Sequence, residues 1–257
     1  MDHDGDRAGR LHNPMTVAAP AASSFGPSML SAAAFVNRGF LRGLACGAVI
    51  GGLGGRLAMF VLRLTSDSSL HGLKTDDDFE IGKFSTDTIF LVLFTALLGG
   101  VFGILYLAIR GWLPERGRPA LYGVFCGAVG GAIIVSPGGT DFTELSPLLL
   151  AIAFFVLIPA VYGVAVSAWM ERSLRSGPVR VSGWRWLGFV PLLLLAFTGP
   201  FALVAVLVLV LVLLGNRSGR LLELWHSTVV TWLGRLAVTA VTVLSGVELV
   251  RDAAEIL

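Results

Sequence analysis

Two arginines stand inside apolar runs of this chain, Arg56 after Gly51-Gly-Leu-Gly-Gly55 and Arg235 ten residues beyond Trp225. A guanidinium presents a planar fork that matches carboxylate or phosphate oxygens. In hydrocarbon it needs backbone carbonyls, water, a carboxylate or an anionic ligand to offset its charge. No Asp or Glu lies in the middle of an apolar run, so the chemistry these residues suggest is binding of a small anionic solute or lipid headgroup at Arg56 and Arg235. Arg42, Arg56 and Arg63 are separated by multiples of seven and share one face of a straight helix. Arg42 falls at one interface and Arg63 can snorkel to the other, whereas Arg56 is about 20 Å from Arg42 at 1.5 Å per residue. Snorkelling of Arg56, or pairing with Asp141 or Glu144, is the competing reading.

Other chemistry is sparse. His3, His12, His71 and His226 have no metal-ligand spacing, and Asp76-Asp77-Asp78-Phe-Glu80 lacks the alternating ligands and glycine of a calcium loop. There is no His-Glu-x-x-His, Gly-x-Ser-x-Gly or Walker motif, so no catalytic residue, metal site or cofactor is expected, and the chain is read as non-enzymatic. No basic patch with interleaved aromatics points to nucleic acid. Cys46 and Cys126 both sit in apolar runs and read as small packing residues.

The elements that must position the arginines are membrane helices. The chain is 55% hydrophobic and 14% charged, with mean hydropathy +0.80, which excludes a soluble single domain. Glycine recurs at Gly39, Gly43, Gly47, Gly51 and Gly55. In water each would weaken a helix by about 1 kcal/mol against alanine. Lipid enforces helicity, and there a glycine stripe lets another backbone approach closely. Gly43, Gly47, Gly51 and Gly55, with Gly123, Gly127 and Gly131, are therefore the expected packing positions.

About 20 apolar residues cross a bilayer, and 40–64, 88–109, 119–137 and 147–170 qualify. The connections alternate, with Asp67, Asp76–Asp78, Glu80 and Asp87 in the first, Arg110, Arg116 and Arg118 in the second, Asp141 and Glu144 in the third, and Arg172, Arg175, Arg180 and Arg185 in the fourth. Arginine-rich connections stay inside, so the amino terminus is expected in the cytoplasm, and Trp112, Trp169, Trp184 and Trp186 mark that interface. Residues 1–36 read as a disordered cytoplasmic tail. Residues 185–214, broken at Gly199-Pro200, form either a short-armed hairpin or one long span. In 225–257, polar residues from Thr228 to Glu255 recur in steps of three and four on one face.

Shifting the chain by 80 residues lays 38–51 on 118–131, including Cys-Gly-Ala-Val on Cys-Gly-Ala-Val, and a shift of 60 lays Phe94, Leu97 and Gly103 on Phe154, Leu157 and Gly163. The expectation is an all-helical, polytopic bundle of six or seven hydrophobic segments whose first four form two tandem hairpins, 38–110 and 118–172. If the glycine faces serve this repeat, the first and third spans cross with Gly47 and Gly127 at the contact.

The Gly-Gly-Arg-Leu end of the first span, the Thr-Asp-Asp-Asp loop, Tyr106 through Trp112-Leu-Pro, and Val-Ser-Pro-Gly-Gly-Thr-Asp-Phe at 135–142 together resemble a group of bacterial polytopic membrane proteins with no established function. The resemblance spans about residues 38–175. It implies a bacterial inner-membrane location and no particular activity. Two functions lead, binding or moving a small anion or lipid headgroup, and a structural or accessory role in which glycine faces dock within the chain, onto another copy or onto a partner subunit; an intramembrane enzyme ranks third for want of a nucleophile, base or metal set.

Overall fold

The computed structural model describes residues 29–65, 86–138, 147–175 and 227–257, with single positions between 203 and 225. Helix α1 (Met29–Cys46) runs through a π-helical segment (Gly47–Leu53) into α2 (Gly54–Thr65), followed by α3 (Thr86–Ile109), α4 (Arg118–Ile134), α5 (Leu148–Arg175) and α6 (Thr228–Ile256). Ala34–Leu62, Thr88–Ile109, Leu148–Arg175 and Thr228–Ile256 are long and apolar enough to cross a membrane, and α4 is a shorter apolar helix. The chain is thus an all-helical protein compatible with several passes through a membrane. Of the six or seven expected segments, 185–214 lies outside the described residues except for isolated positions.

The first helix begins at Met29, so residues 29–36, expected to be part of the tail, are helical. The Ala-rich stretch favours helix. Its end is also held in place, because Val36 and Phe40 are buried against Leu97, Val101 and Ile104 of α3. Helix α4 starts after Gly117, whose φ of 90° suits glycine, and Pro119 occupies its first turn, where a missing N–H costs nothing.

The glycine faces close each hairpin on itself. A methyl on Gly43 would overlap the carbonyl of Gly99 and come within 3.0 Å of Gly103 Cα, and one on Gly99 would lie 2.7 Å from Gly47 Cα. In the second hairpin, a methyl on Gly163 would lie 2.9 Å from Gly123 Cα, and one on Gly127 would lie 3.0 Å from Ala160 Cβ. All but the last are backbone-to-backbone approaches that leave a larger residue no room, while Gly127 presses on the Ala160 methyl. The expected crossing of the first and third spans through Gly47 and Gly127 is therefore incorrect: Gly47 faces Thr95, Ala96 and Gly99 of α3, and Gly127 faces Val156 and Ala160 of α5. Each stripe is consumed by the antiparallel neighbour that its own connection brings alongside, and α1 makes no extended contact with α4 among the described residues.

The stripe also departs from an even step of four. After Gly39, Gly43 and Gly47, the residue pressed against α3 is Gly52, where an added methyl would lie 2.9 Å from Val92 Cα. The step from 47 to 52 is five residues, one turn of the π segment that contains both. Each residue inserted in this way rotates the remainder of the helix by about 100°. Gly51 consequently meets only the Thr95 side chain, and Gly55 faces open space. The same rotation removes Arg56 from the face of Arg42 that a straight helix would give it.

The two hairpins are joined at their middle by side chains that donate to exposed helix carbonyls. Tyr122 of α4 donates to Phe102 O at 2.6 Å, and Tyr162 of α5 donates to Gly99 O. Both tyrosines are buried with Cys46, Cys126 and Tyr106 in one cluster. A hydroxyl buried among membrane helices must find such a partner. Helix α6 lies along α4, with Gly234 against the Trp112 ring near its start and Leu249 against Gly131 further on. Most of its large apolar residues, Leu236, Leu244 and Val250 among them, stay exposed.

Candidate functional site

The bundle has two chemically distinct ends. At the end holding the α3–α4 connection, Glu171 of α5 accepts from Tyr106 OH at 2.8 Å and from Arg110 Nε at 3.1 Å, and Arg118 Nη1 lies 3.6 Å from its other oxygen. Arg118 Nε also donates to Leu113 O at 3.2 Å, which ties the connection to the start of α4. Arg42 of α1 donates to Ser173 Oγ and to Met170 S at 3.4 Å, with its guanidinium 5.8 Å from the Trp169 ring.

Arg235 belongs to this same end. Its Nε donates to Trp112 O at 3.0 Å, and its guanidinium stacks 5.3 Å from the Trp232 ring. Trp112 also packs against Trp225, with ring centroids 5.1 Å apart. Arg235 therefore acts as a clamp that holds α6 to the α3–α4 connection. Part of its fork is spent on a carbonyl.

Arg56 lies towards the opposite end. Helix α2 packs there on α5, where Leu62 is buried with Val135 and Ala151. Arg56 is partly buried, and its Nε and Nη2 are shut off from solvent. Its expected counter-charges, Asp141 and Glu144, lie outside the described residues. The fold thus separates Arg56 from Arg235, which the sequence had grouped by chemistry alone. Near the outset of α3, Ile89, Val92, Leu93 and Ala96 with Thr88 line an open apolar groove that offers an anion no charge.

Among the packing glycines, Gly43, Gly47, Gly123 and Gly127 sit at helix contacts inside their hairpins, Gly51 and Gly131 meet side chains, and Gly55 meets nothing. Glu171 was not singled out from sequence. The only signal was a lone acid between Trp169 and two arginines at a helix end, which reads as ordinary interfacial charge until Arg110 and Arg118 are brought beside it. Among the described residues no group of His, Cys, Asp or Glu has metal-binding geometry. Comparison with family models, curated proteins and solved structures gives no match.

Proposed function

We propose that the chain is a non-enzymatic structural or accessory protein of the bacterial inner membrane, built from two tandem copies of a glycine-closed hairpin. The observation that carries this reading is the agreement of two independent alignments at one contact. The shift of 80 residues pairs Gly43 with Gly123, and the shift of 60 pairs Gly103 with Gly163. Gly43 meets Gly103 in the first hairpin, and Gly123 meets Gly163 in the second. With hairpins this tightly closed and bolted together through Tyr122 and Tyr162, the body is rigid. Its broad exposed faces, above all on α6, suit lipid, another copy or a partner subunit.

In this reading the arginine and tryptophan end is cytoplasmic. Arg175 and Thr228 both lie at that end, through the contacts of Ser173 with Arg42 and of Gly234 with Trp112, while α6 finishes beside Leu62 and Val135 at the other. An impermeant thiol reagent added to intact spheroplasts is expected to label a cysteine placed at Leu257 and not one placed at Ser176. Labelling of the Ser176 position from outside would reverse the orientation.

The second reading, an anion site at Arg56, is favoured by the burial of Nε and Nη2 in a residue whose counterpart in the second hairpin is Ser136. Uptake of labelled phosphate, sulfate and small carboxylates into vesicles reconstituted with the full chain separates the two. The structural role predicts uptake no greater than in protein-free vesicles, with Arg56→Met unchanged in both uptake and folding. Saturable uptake that Arg56→Met abolishes would overturn it in favour of transport.

A further inference from the structure

The last turns of α5 carry arginines on two sides, and the two sides are balanced differently. On one, Arg110 and Arg118 share the carboxylate of Glu171. On the other, the groups holding Arg42 are neutral: a serine hydroxyl, a thioether and an indole face. Arg38, one turn earlier on α1, adds its positive charge at the same place. No carboxylate among the described residues forms an ion pair with either. Like charges at positions i and i+4 repel. Ser173 and Met170 orient the Arg42 guanidinium without offsetting its charge.

The location fixes the kind of anion. Trp169, stacked beside Arg42, is 46% exposed and lies two residues before Glu171, which pairs with Arg110 and Arg118, so it belongs to the same end of the bundle as Trp112, where amphipathic rings mark the headgroup layer. Further along the same two helices, Val49 and Val161 are exposed apolar residues over which acyl chains can lie. We infer that Arg38 and Arg42, with Ser173 as a hydroxyl donor and Trp169 as a wall, bind the phosphate of an acidic phospholipid in the cytoplasmic leaflet. The planar Arg42 fork, already oriented by Ser173, suits two phosphate oxygens. This inference needs only the membrane setting and does not rest on the structural or accessory reading.

The test uses the full chain in detergent, with native mass spectrometry and thermal unfolding in the presence of phosphatidylglycerol, phosphatidylcholine or inorganic phosphate. Wild type is expected to retain phosphatidylglycerol and gain thermal stability from it, with neither effect from phosphatidylcholine. Loss of charge is expected to weaken retention about fivefold for Arg38→Gln or Arg42→Gln alone and about thirtyfold for both. Arg116→Gln, which removes an exposed arginine elsewhere at this end, should leave retention unchanged. Equal retention by the double variant, an equal loss in Arg116→Gln, or equal retention of phosphatidylcholine would overturn the site. Displacement of the lipid by millimolar inorganic phosphate would overturn the lipid as its source and assign the site to soluble phosphate. Ser173→Glu keeps the test decisive if the double variant does not fold: it supplies a carboxylate beside Arg42 and should raise lipid-free stability while abolishing the stabilisation by phosphatidylglycerol. Undiminished stabilisation of Ser173→Glu by that lipid would contradict the proposal.

Discussion

Gly43→Leu should leave little or no folded protein in the membrane, while Gly55→Leu should accumulate and melt like wild type. The two substitutions are chemically identical, and both positions belong to the same four-residue glycine series. What differs is the neighbour. Beyond Gly43 lie the Gly99 carbonyl and Gly103 Cα, which are backbone atoms and cannot rotate aside, whereas nothing lies within 4 Å of the space a Cβ on Gly55 would fill. Inserting even one methyl into such a contact costs about 1–3 kcal/mol, and a leucine must push the whole of α1 off α3. Separation of the helices would also disturb the α3 carbonyls that Tyr122 and Tyr162 use, so the damage spreads to the second hairpin. Fluorescence-detected gel filtration across a temperature series measures both variants. Equal behaviour of the pair would mean that the stripe meets lipid rather than α3.

Glu171→Gln is expected to produce the second-largest loss, about 2–4 kcal/mol, because it removes charge with almost no change in shape. The side chains of Glu171 and Arg118 are each 14% exposed, so the arginines left behind have limited access to water. Arg110, at 30% exposed, is better solvated, which keeps the cost toward the lower part of that range. Tyr106 can still donate to the amide oxygen. Adding Arg110→Gln should therefore recover part of the loss, with a coupling of about 1 kcal/mol, whereas Glu171→Gln alone should be the least stable of the three. Thermal unfolding of the two single variants and the double variant checks this. Additive losses would show that the cluster is a solvated surface network.

The sequence made the helices legible because lipid leaves few alternatives to them. The runs at 88–109 and 147–170 end within a few residues of α3 and α5, and the alternation of arginine and acid between runs correctly groups Arg42, Arg110, Arg118 and Arg172 toward one end. Gly43, Gly47, Gly123 and Gly127 lie at helix contacts. Glycine, however, carries no side chain that could specify its partner, so the stripes could not say whether they close hairpins or join them. The π segment was hidden for a related reason. Gly51 and Gly52 are adjacent, and a step of four to the first looks as good as a step of five to the second until Val92 is found over Gly52.

Chemistry was less legible than packing. Arg56 and Arg235 stood out because each interrupts an apolar run, yet the fold gives them different surroundings: a carbonyl and an indole for Arg235, and the far end of the bundle for Arg56. Glu171 and Ser173 drew no notice, and Trp169 was read only as an interface marker, because their significance comes from Arg42, Arg110 and Arg118, which are more than 50 residues away in the chain.

The central claim is that each glycine face closes its own hairpin. Solid-state NMR carbon–carbon correlation on protein labelled only at glycine, reconstituted in lipid, tests it most directly. The account predicts contacts of Gly43 with Gly103, of Gly47 with Gly99, and of Gly123 with Gly163. A spectrum that lacks these and instead connects Gly47 with Gly127 would contradict it.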